Sequence, residues 1–383
     1  MAAVPQAPLA HTIKKPAMTE PDFEAARLTV RLGAIAANWR TVQRLCGPAV
    51  AAGVVKADAY GLGACKVAPA LAAAGCDTFF VARLEEGIAL RKLCREARIF
   101  VLDGAAADAV PALLSFSPIP VLNSLADVAV WSAVAAPGAL EAALHVDTGI
   151  NRLGLPGEEL AVLAAEQKKR LKGINLVLVM SHLACADEPS DAMNRMQLER
   201  FRAALALLPP APASLAASAG VLLGKDYHFD LVRPGVGLYG AGPARDGENP
   251  FRTAVVLTAK VLQVRRIDKG ECVGYAATFR AGKPTMIATV AIGYADGVPR
   301  AASSRGAAAF RGVPAPFAGR VSMDLVTLDV TGLIEQPRVG DSVELLGDTI
   351  TLRDAENAAG TNEYEILTGL SRRVPRHYQD ETP

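Results

Sequence analysis

Between residues 50 and 232, short unbroken apolar runs alternate with longer stretches whose apolar residues recur at helical spacing. The runs are Ala51–Val55, Thr78–Val81, Ile99–Leu102, Ile119–Leu122, Ala142–Val146, Ile174–Met180, Ser214–Ala217 and Phe229–Val232. Amphipathic segments rich in alanine and leucine, such as Glu158–Leu171 and Asp191–Leu208, fill most of the intervals. Leu32–Cys46 reads as a helix that stops at Gly47-Pro48. Strands that are apolar on both faces belong to parallel sheets covered by helices. Eight such units in about 200 residues predict an α/β fold, a (β/α)8 TIM-like barrel. An open doubly wound sheet is the alternative.

After Pro250 the pattern changes. Thr253–Val264, Thr285–Ile292, Pro316–Asp329 and Ser342–Leu346 read as strands, separated by Asp-Lys-Gly, Asp-Gly and Val-Gly-Asp turns. The expected organisation is therefore a loose leader over 1–23, the barrel over 24–250, and a mostly-β domain over 251–383.

Composition narrows the function classes. With 51% hydrophobic and 21% charged residues the profile is that of a globular protein, and a net charge of +1 gives no electrostatic case for nucleic acid or an anionic membrane. No apolar run approaches the roughly 20 residues that span a bilayer. The leader lacks the apolar core of a secretory signal. Cys46, Cys65, Cys76, Cys94, Cys185 and Cys272 form no CxxC pair, so neither a disulfide framework nor a metal site is expected, and a reducing cytoplasm fits best.

In a barrel the chemistry sits just past the strand ends. Strand one delivers Lys56 and Tyr60, strand five Asp147, Asn151 and Arg152, and strand six Ser181 and His182. Strand seven delivers Ser218 and Gly220, and strand eight Arg233, Gly235 and Gly237. A lysine ending a buried strand must face a cavity, a partner or solvent, and desolvation turns its amine into a nucleophile or base. Small residues opening helices after strands seven and eight suit a phosphate. A phosphate site beside an amine that condenses with aldehydes suggests pyridoxal 5′-phosphate (PLP). Ordinary alternatives exist for each residue: His182 as a structural hydrogen-bonder, Arg152 and Arg233 as helix-end cations, Ser218 as an N-cap. Gly235–Gly240 matches GxGxxG, but no acidic residue follows at the right distance and no βαβ unit surrounds it, so a nicotinamide site is not expected.

The stretches Val55–Gly61, Val146–Gly154, Ser181–Asp187, Ser218–Gly220 and Arg233–Gly240 together resemble alanine racemases, PLP enzymes of fold type III. Val273–Tyr275, Ile292–Gly297 and Val321–Asp324 continue the resemblance in the tail. It implies a head-to-tail homodimer in which each β-domain completes the partner's site. Lys56 would then carry PLP and act as one base, with Tyr275 of the partner subunit as the other. Tyr60, Ser218, Gly235 and Val236 would hold the phosphate. Arg152 would lie by the phenolic oxygen and the substrate carboxylate, and Arg233 by the ring nitrogen, steadied by His182. Met323 of the partner subunit would touch substrate, with Asp187, Tyr294, Arg320 and Asp324 at the mouth. The implied reaction interconverts L- and D-alanine, supplying D-alanine for peptidoglycan.

Some positions depart from the family pattern. His145 stands where many relatives carry a carbamylated lysine that supports the arginine equivalent to Arg152. Ala217 replaces a frequent asparagine and Leu62 a frequent histidine. Arg372 falls where a phosphate-binding tyrosine is expected, which leaves one phosphate contact open. A racemase of broader specificity and a fold-type III decarboxylase are the alternative enzymes, and a barrel-only PLP carrier is the non-enzymatic one. An arginine against the ring nitrogen argues against decarboxylation, and the tail after Pro250 argues against a carrier.

Overall fold

The computed structural model describes residues 24–135, 140–245 and 247–380; the expected leader lies outside the described residues. Seven parallel strands run in unbroken order from Gly53–Val54 through Thr78–Val81, Arg98–Val101, Ile119–Leu122, Leu140–His145 and Ile174–Met180 to Ala213–Ser214. The eighth, Leu231–Val232, closes the ring. It pairs in parallel with Val50–Ala51, and Ala217 bridges Arg233 on its other side. Strand one is thus bonded on both edges: Ala52 and Val54 donate to Val232 and Pro234, while Val55 donates to Phe80. Thr78–Val81 and Ile119–Leu122 are buried at every position, as strands walled by helices must be.

The second sheet is mainly antiparallel, ordered Val313–Pro316, Ala307–Phe310, Ser342–Leu346, Val255–Ile267, Ala26–Arg31, Arg376–Gln379. Thr285–Val290 and Val326–Asp329 extend it from the long strand Val255–Ile267. Two elements depart from the sequence reading. Ala26–Arg31 belongs to this sheet and not to the barrel, pairing with Val255–Ile267 and Arg376–Gln379. Its alternating burial, on one face only, suits this sheet and not the doubly covered barrel. The expected strand Pro316–Asp329 is broken, because Gly319 adopts φ 89° and a Cβ there would strike the Val273 carbonyl. The resulting loop carries Arg320, Met323 and Asp324.

One continuous core runs from the barrel (Val55, Tyr60, Val236, Tyr239) into the second sheet (Leu257, Val290, Leu346) and the helix Glu363–Thr368. The two units therefore pack as one body, and that last helix lies beside the lysine turn. Among the described residues no helix is long and apolar enough to cross a membrane.

Candidate active site

The lysine motif folds in a way its residue types do not announce. Ala57, Asp58, Ala59 and Tyr60 have φ of 53°, 56°, 53° and 57°, one turn of left-handed helix that starts at Lys56. Each non-glycine residue there costs roughly 1–2 kcal/mol. Surrounding bonds offset this. Glu86 accepts from the N–H groups of Ala57 (2.6 Å), Ala82 (2.9 Å) and Arg83 (3.1 Å), and Asp58 accepts from Ala64 (2.8 Å). Tyr378 donates to the Leu62 carbonyl (3.0 Å) and Arg376 to that of Gly61 (3.1 Å). The C-terminal strand thus clamps the turn that aims Lys56.

Lys56 faces a cavity of about 260 Å³ at the C-terminal ends of the barrel strands. All eight barrel residues expected at the cofactor line it: Lys56, Tyr60, Arg152, His182, Ser218, Arg233, Gly235 and Val236. A larger cavity, about 530 Å³, lies in the second domain against the helix Leu352–Ala359, but it has no comparable set of reactive groups.

The cavity floor is preorganised. Ser218 Oγ accepts from the N–H groups of Gly235 (2.9 Å) and Gly237 (3.1 Å). The Tyr60 hydroxyl packs against Gly235 where any Cβ would collide with it, and its ring leans on Tyr239 at 4.8 Å between centroids. Arg233 is buried, 4% exposed, and finds only neutral acceptors: Ser214 Oγ, the Ser181 carbonyl (2.5 Å) and the Leu215 carbonyl (3.4 Å). His182 Nδ1 lies 3.5 Å from the same guanidinium. Burial, then the Arg233 charge, pushes His182 down to about 3, so the ring is neutral. Burial lowers Arg233 to about 9, which leaves it charged at neutral pH. Lys56 is lowered first by burial and next by Arg152, with Glu86 and Asp103 opposing in part. Two guanidiniums and an amine around one small cavity suit a ligand with more than one negative group.

The residues expected from the tail gather elsewhere. Tyr275, Tyr294 and Met323 are 68%, 41% and 53% exposed and do not line the cavity of their own chain. Their loops are joined to each other. Tyr294 and Ala295 donate to the Ser322 and Met323 carbonyls (both 3.0 Å), and Gly274 packs beside Arg320. Arg373 braces this face through Asp296 (2.9 Å) and Asp324 (2.6 Å), a role the sequence reading did not assign. Asp187 pairs with Arg245 at 3.5 Å. This face thus leaves two aromatic side chains and a thioether exposed.

Comparison with known proteins places this arrangement. Residues 30–243 match the family model described as alanine racemase, N-terminal domain, and residues 254–378 match alanine racemase, C-terminal domain. The chain belongs to the alanine racemase family. It is 47% identical over 358 residues to the catabolic alanine racemase of Agrobacterium fabrum, covering 92% of each chain. It is 44% identical over 371 residues to the biosynthetic alanine racemase of that organism, covering 93% of this chain and 95% of the relative. The crystal structure of alanine racemase from Bartonella henselae, described with covalently bound pyridoxal phosphate, matches with a TM-score of 0.89 at 39% identity, over 92% of this chain and 99% of that one.

In this alanine racemase family member Arg372, where one phosphate contact was left open, lies away from the cavity. Arg372 does not stand in for a tyrosine at the phosphate site. Its side chain is 87% exposed and pairs with Asp58 outside the cavity (3.3 Å). Tyr364, from the helix Glu363–Thr368, lines the cavity, with its ring 6.1 Å from that of Tyr60. Tyr364 follows the Asn362 cap of a short helix, eight residues before the arginine. Asn123, Asp103 and His145 also line the cavity and had been given no role in holding a ligand.

Proposed function

We propose that this protein interconverts L- and D-alanine with PLP by two bases, Lys56 on one face and Tyr275 of the partner subunit on the other. The residues present fit the cofactor. Gly235 lets the Tyr60 hydroxyl pack against its backbone, and Tyr60, Tyr364 and Ser218 bring hydroxyls to the same cavity as Lys56. Tyr60, Tyr364, Ser218, Gly235 and Val236 would hold the phosphate, Arg233 the ring nitrogen, and Lys56 the aldehyde carbon. When bound, PLP withdraws electrons from the substrate Cα and makes its proton removable.

The protein's own groups then decide the outcome. Racemisation requires removal of a proton from one face of Cα and delivery of another to the opposite face. Burial and Arg152 favour a neutral Lys56 amine, which is the form that accepts a proton. Tyr275 is exposed on its own chain and is free to serve a second copy, on the face it shares with Met323, Arg320, Tyr294 and Asp324. Each base is worth roughly 10²–10⁴-fold. Arg152 would bind the substrate carboxylate, with Met323 of the partner subunit beside it. Asp187 and Arg320 would sit at the mouth.

The observation that carries the reading is Arg233, a buried guanidinium bonded only to neutral groups. It would not surrender a proton to the ring nitrogen, which leaves the ring a weak electron sink and disfavours decarboxylation. A head-to-tail homodimer would bring Tyr275 of one chain to the Lys56 cavity of the other, and the absence of Tyr275 from the lining of its own chain's cavity supports it. All six cysteines are free, which supports a reducing cytoplasm, and D-alanine for peptidoglycan is the expected use of the product. The test is α-hydrogen exchange in heavy water. Lys56→Ala and Tyr275→Phe should each impair exchange from one enantiomer more than from the other. Equal loss from both enantiomers in both variants contradicts two opposed bases.

A further inference from the structure

The Glu86 carboxylate reaches from the helix after the second barrel strand to the first residue of the turn that follows Lys56. Glu86 stands in the first turn of the helix Leu84–Leu93, and its bond with the Arg83 N–H is helix capping. Its bond with the Ala57 N–H is not. The two residues lie 29 positions apart, and at 2.6 Å this is the shortest of the three bonds that Glu86 accepts. No carbonyl among the described residues takes the Ala57 N–H. The ladder between strands one and two ends with the pair Val54–Phe80 and the bond from Val55 to the Phe80 carbonyl. Beyond that point Glu86 joins the two chains itself, with Oε1 on Ala57 and Oε2 on Ala82.

The turn also has room to move. Lys56 and Tyr60 line the cofactor cavity, whereas Val55, Ala57, Asp58 and Gly61 line a second cavity of about 560 Å³, together with Glu86. Four consecutive non-glycine residues, Ala57 to Tyr60, are left-handed, a strained arrangement that persists only where its surroundings impose it. With free space along it, the turn can relax away from the cofactor cavity once its first N–H is released.

We propose that Glu86 is a positioning residue for racemisation: by holding the Ala57 N–H it keeps the left-handed turn closed and Lys56 directed into the cavity. Its charge acts on the same lysine. Burial lowers Lys56 first, then Arg152 and, more weakly, Arg233, while Glu86 and Asp103 oppose them. The consequence for catalysis rests on the reading of Lys56 as a base; the bond from Ala57 to Glu86 does not.

The test uses the holoenzyme of Glu86→Gln. Glutamine has one acceptor oxygen. Placed at the Oε2 position it still serves Ala82 and Arg83, and its NH2 then faces the Ala57 N–H, donor against donor. The helix cap is kept and the bond to the turn is lost. For a misaimed base kcat should fall about tenfold, with KM for L-alanine changed by less than about twofold. With the negative charge gone, the Lys56 amine gives up its proton more readily, so the acid limb of the kcat profile should move to lower pH. A crystal structure of the variant should show Ala57 outside the left-handed region. Glu86→Ala removes all three bonds and should lose kcat at least as far; Glu86→Gln decides the matter even where Glu86→Ala fails to fold. A wild-type kcat with an unmoved acid limb in Glu86→Gln, or a reduced kcat with the turn and Lys56 in their wild-type positions, refutes the positioning role and leaves Glu86 a helix cap. Racemisation surviving in Lys56→Ala would refute the underlying reaction instead, so the two failures are distinguishable.

Discussion

The Tyr60 hydroxyl occupies the space that a Cβ at Gly235 would need. The first barrel strand and the eighth thereby fix each other at the place where the phosphate would be held. Gly235→Ala should displace the tyrosine, at a cost of about 1–3 kcal/mol for the overpacked contact. PLP retention after dialysis should fall accordingly. In a Tyr60→Phe background the hydroxyl is gone, so the added methyl should cost less, a coupling that a double-mutant cycle reads directly. Equal costs in both backgrounds would show that the hydroxyl is not the obstacle.

Acid should destabilise the protein through its buried imidazoles. His145 and His182 are held at about 4 and about 3, below the ordinary 6.5, first by burial and then by Arg233. The unfolded chain takes up protons that the folded one refuses, so stability is full above 6.5 and falls as pH drops below it. Glu363 works in the opposite direction. Burial raises it from 4.5 to about 7, so its contribution grows as pH falls towards 4.5. Two histidines against one carboxyl leave a net loss of roughly 1.4 kcal/mol per pH unit on acidification between 6.5 and 4.5. Urea unfolding across that range should show this slope, flattened in His145→Gln and steepened in Glu363→Gln. A stability that rises on acidification would contradict it.

Tyr364 and Arg372 should separate cleanly. Tyr364→Phe removes a hydroxyl from the cavity, and losing a hydrogen bond to a charged group is worth about 1.5–3 kcal/mol, roughly ten- to hundredfold in PLP affinity. Arg372→Ala breaks only an exposed ion pair with Asp58 and should change PLP affinity by less than about threefold. Cofactor titration followed by fluorescence quenching checks both. The reverse order would restore the arginine as the phosphate ligand.

Much of the barrel was legible because its strands are short apolar runs buried on both faces, and that pattern survives without coordinates. The residues past those runs were legible for the same reason: strand ends place chemistry. What was hidden depends on contacts remote in sequence. Ala26–Arg31 falls within the span assigned to the barrel until it pairs with Val255–Ile267, more than 200 positions away. The left-handed turn at Ala57–Tyr60 has no glycine to announce it and is held from outside by Glu86 and the C-terminal strand. Tyr364 reaches the cavity only because its helix packs against that turn.

The central claim is that one working site draws Lys56 from one chain and Tyr275 from another, and mixed dimers test it directly. Lys56→Ala and Tyr275→Phe proteins, each impaired alone, should regain activity when dissociated and reassembled together. Each heterodimer then contains one site with both bases intact, so a statistical mixture should reach about a quarter of wild-type activity. A mixture no more active than its two components would show that lysine and tyrosine serve the same chain, and the account would be wrong.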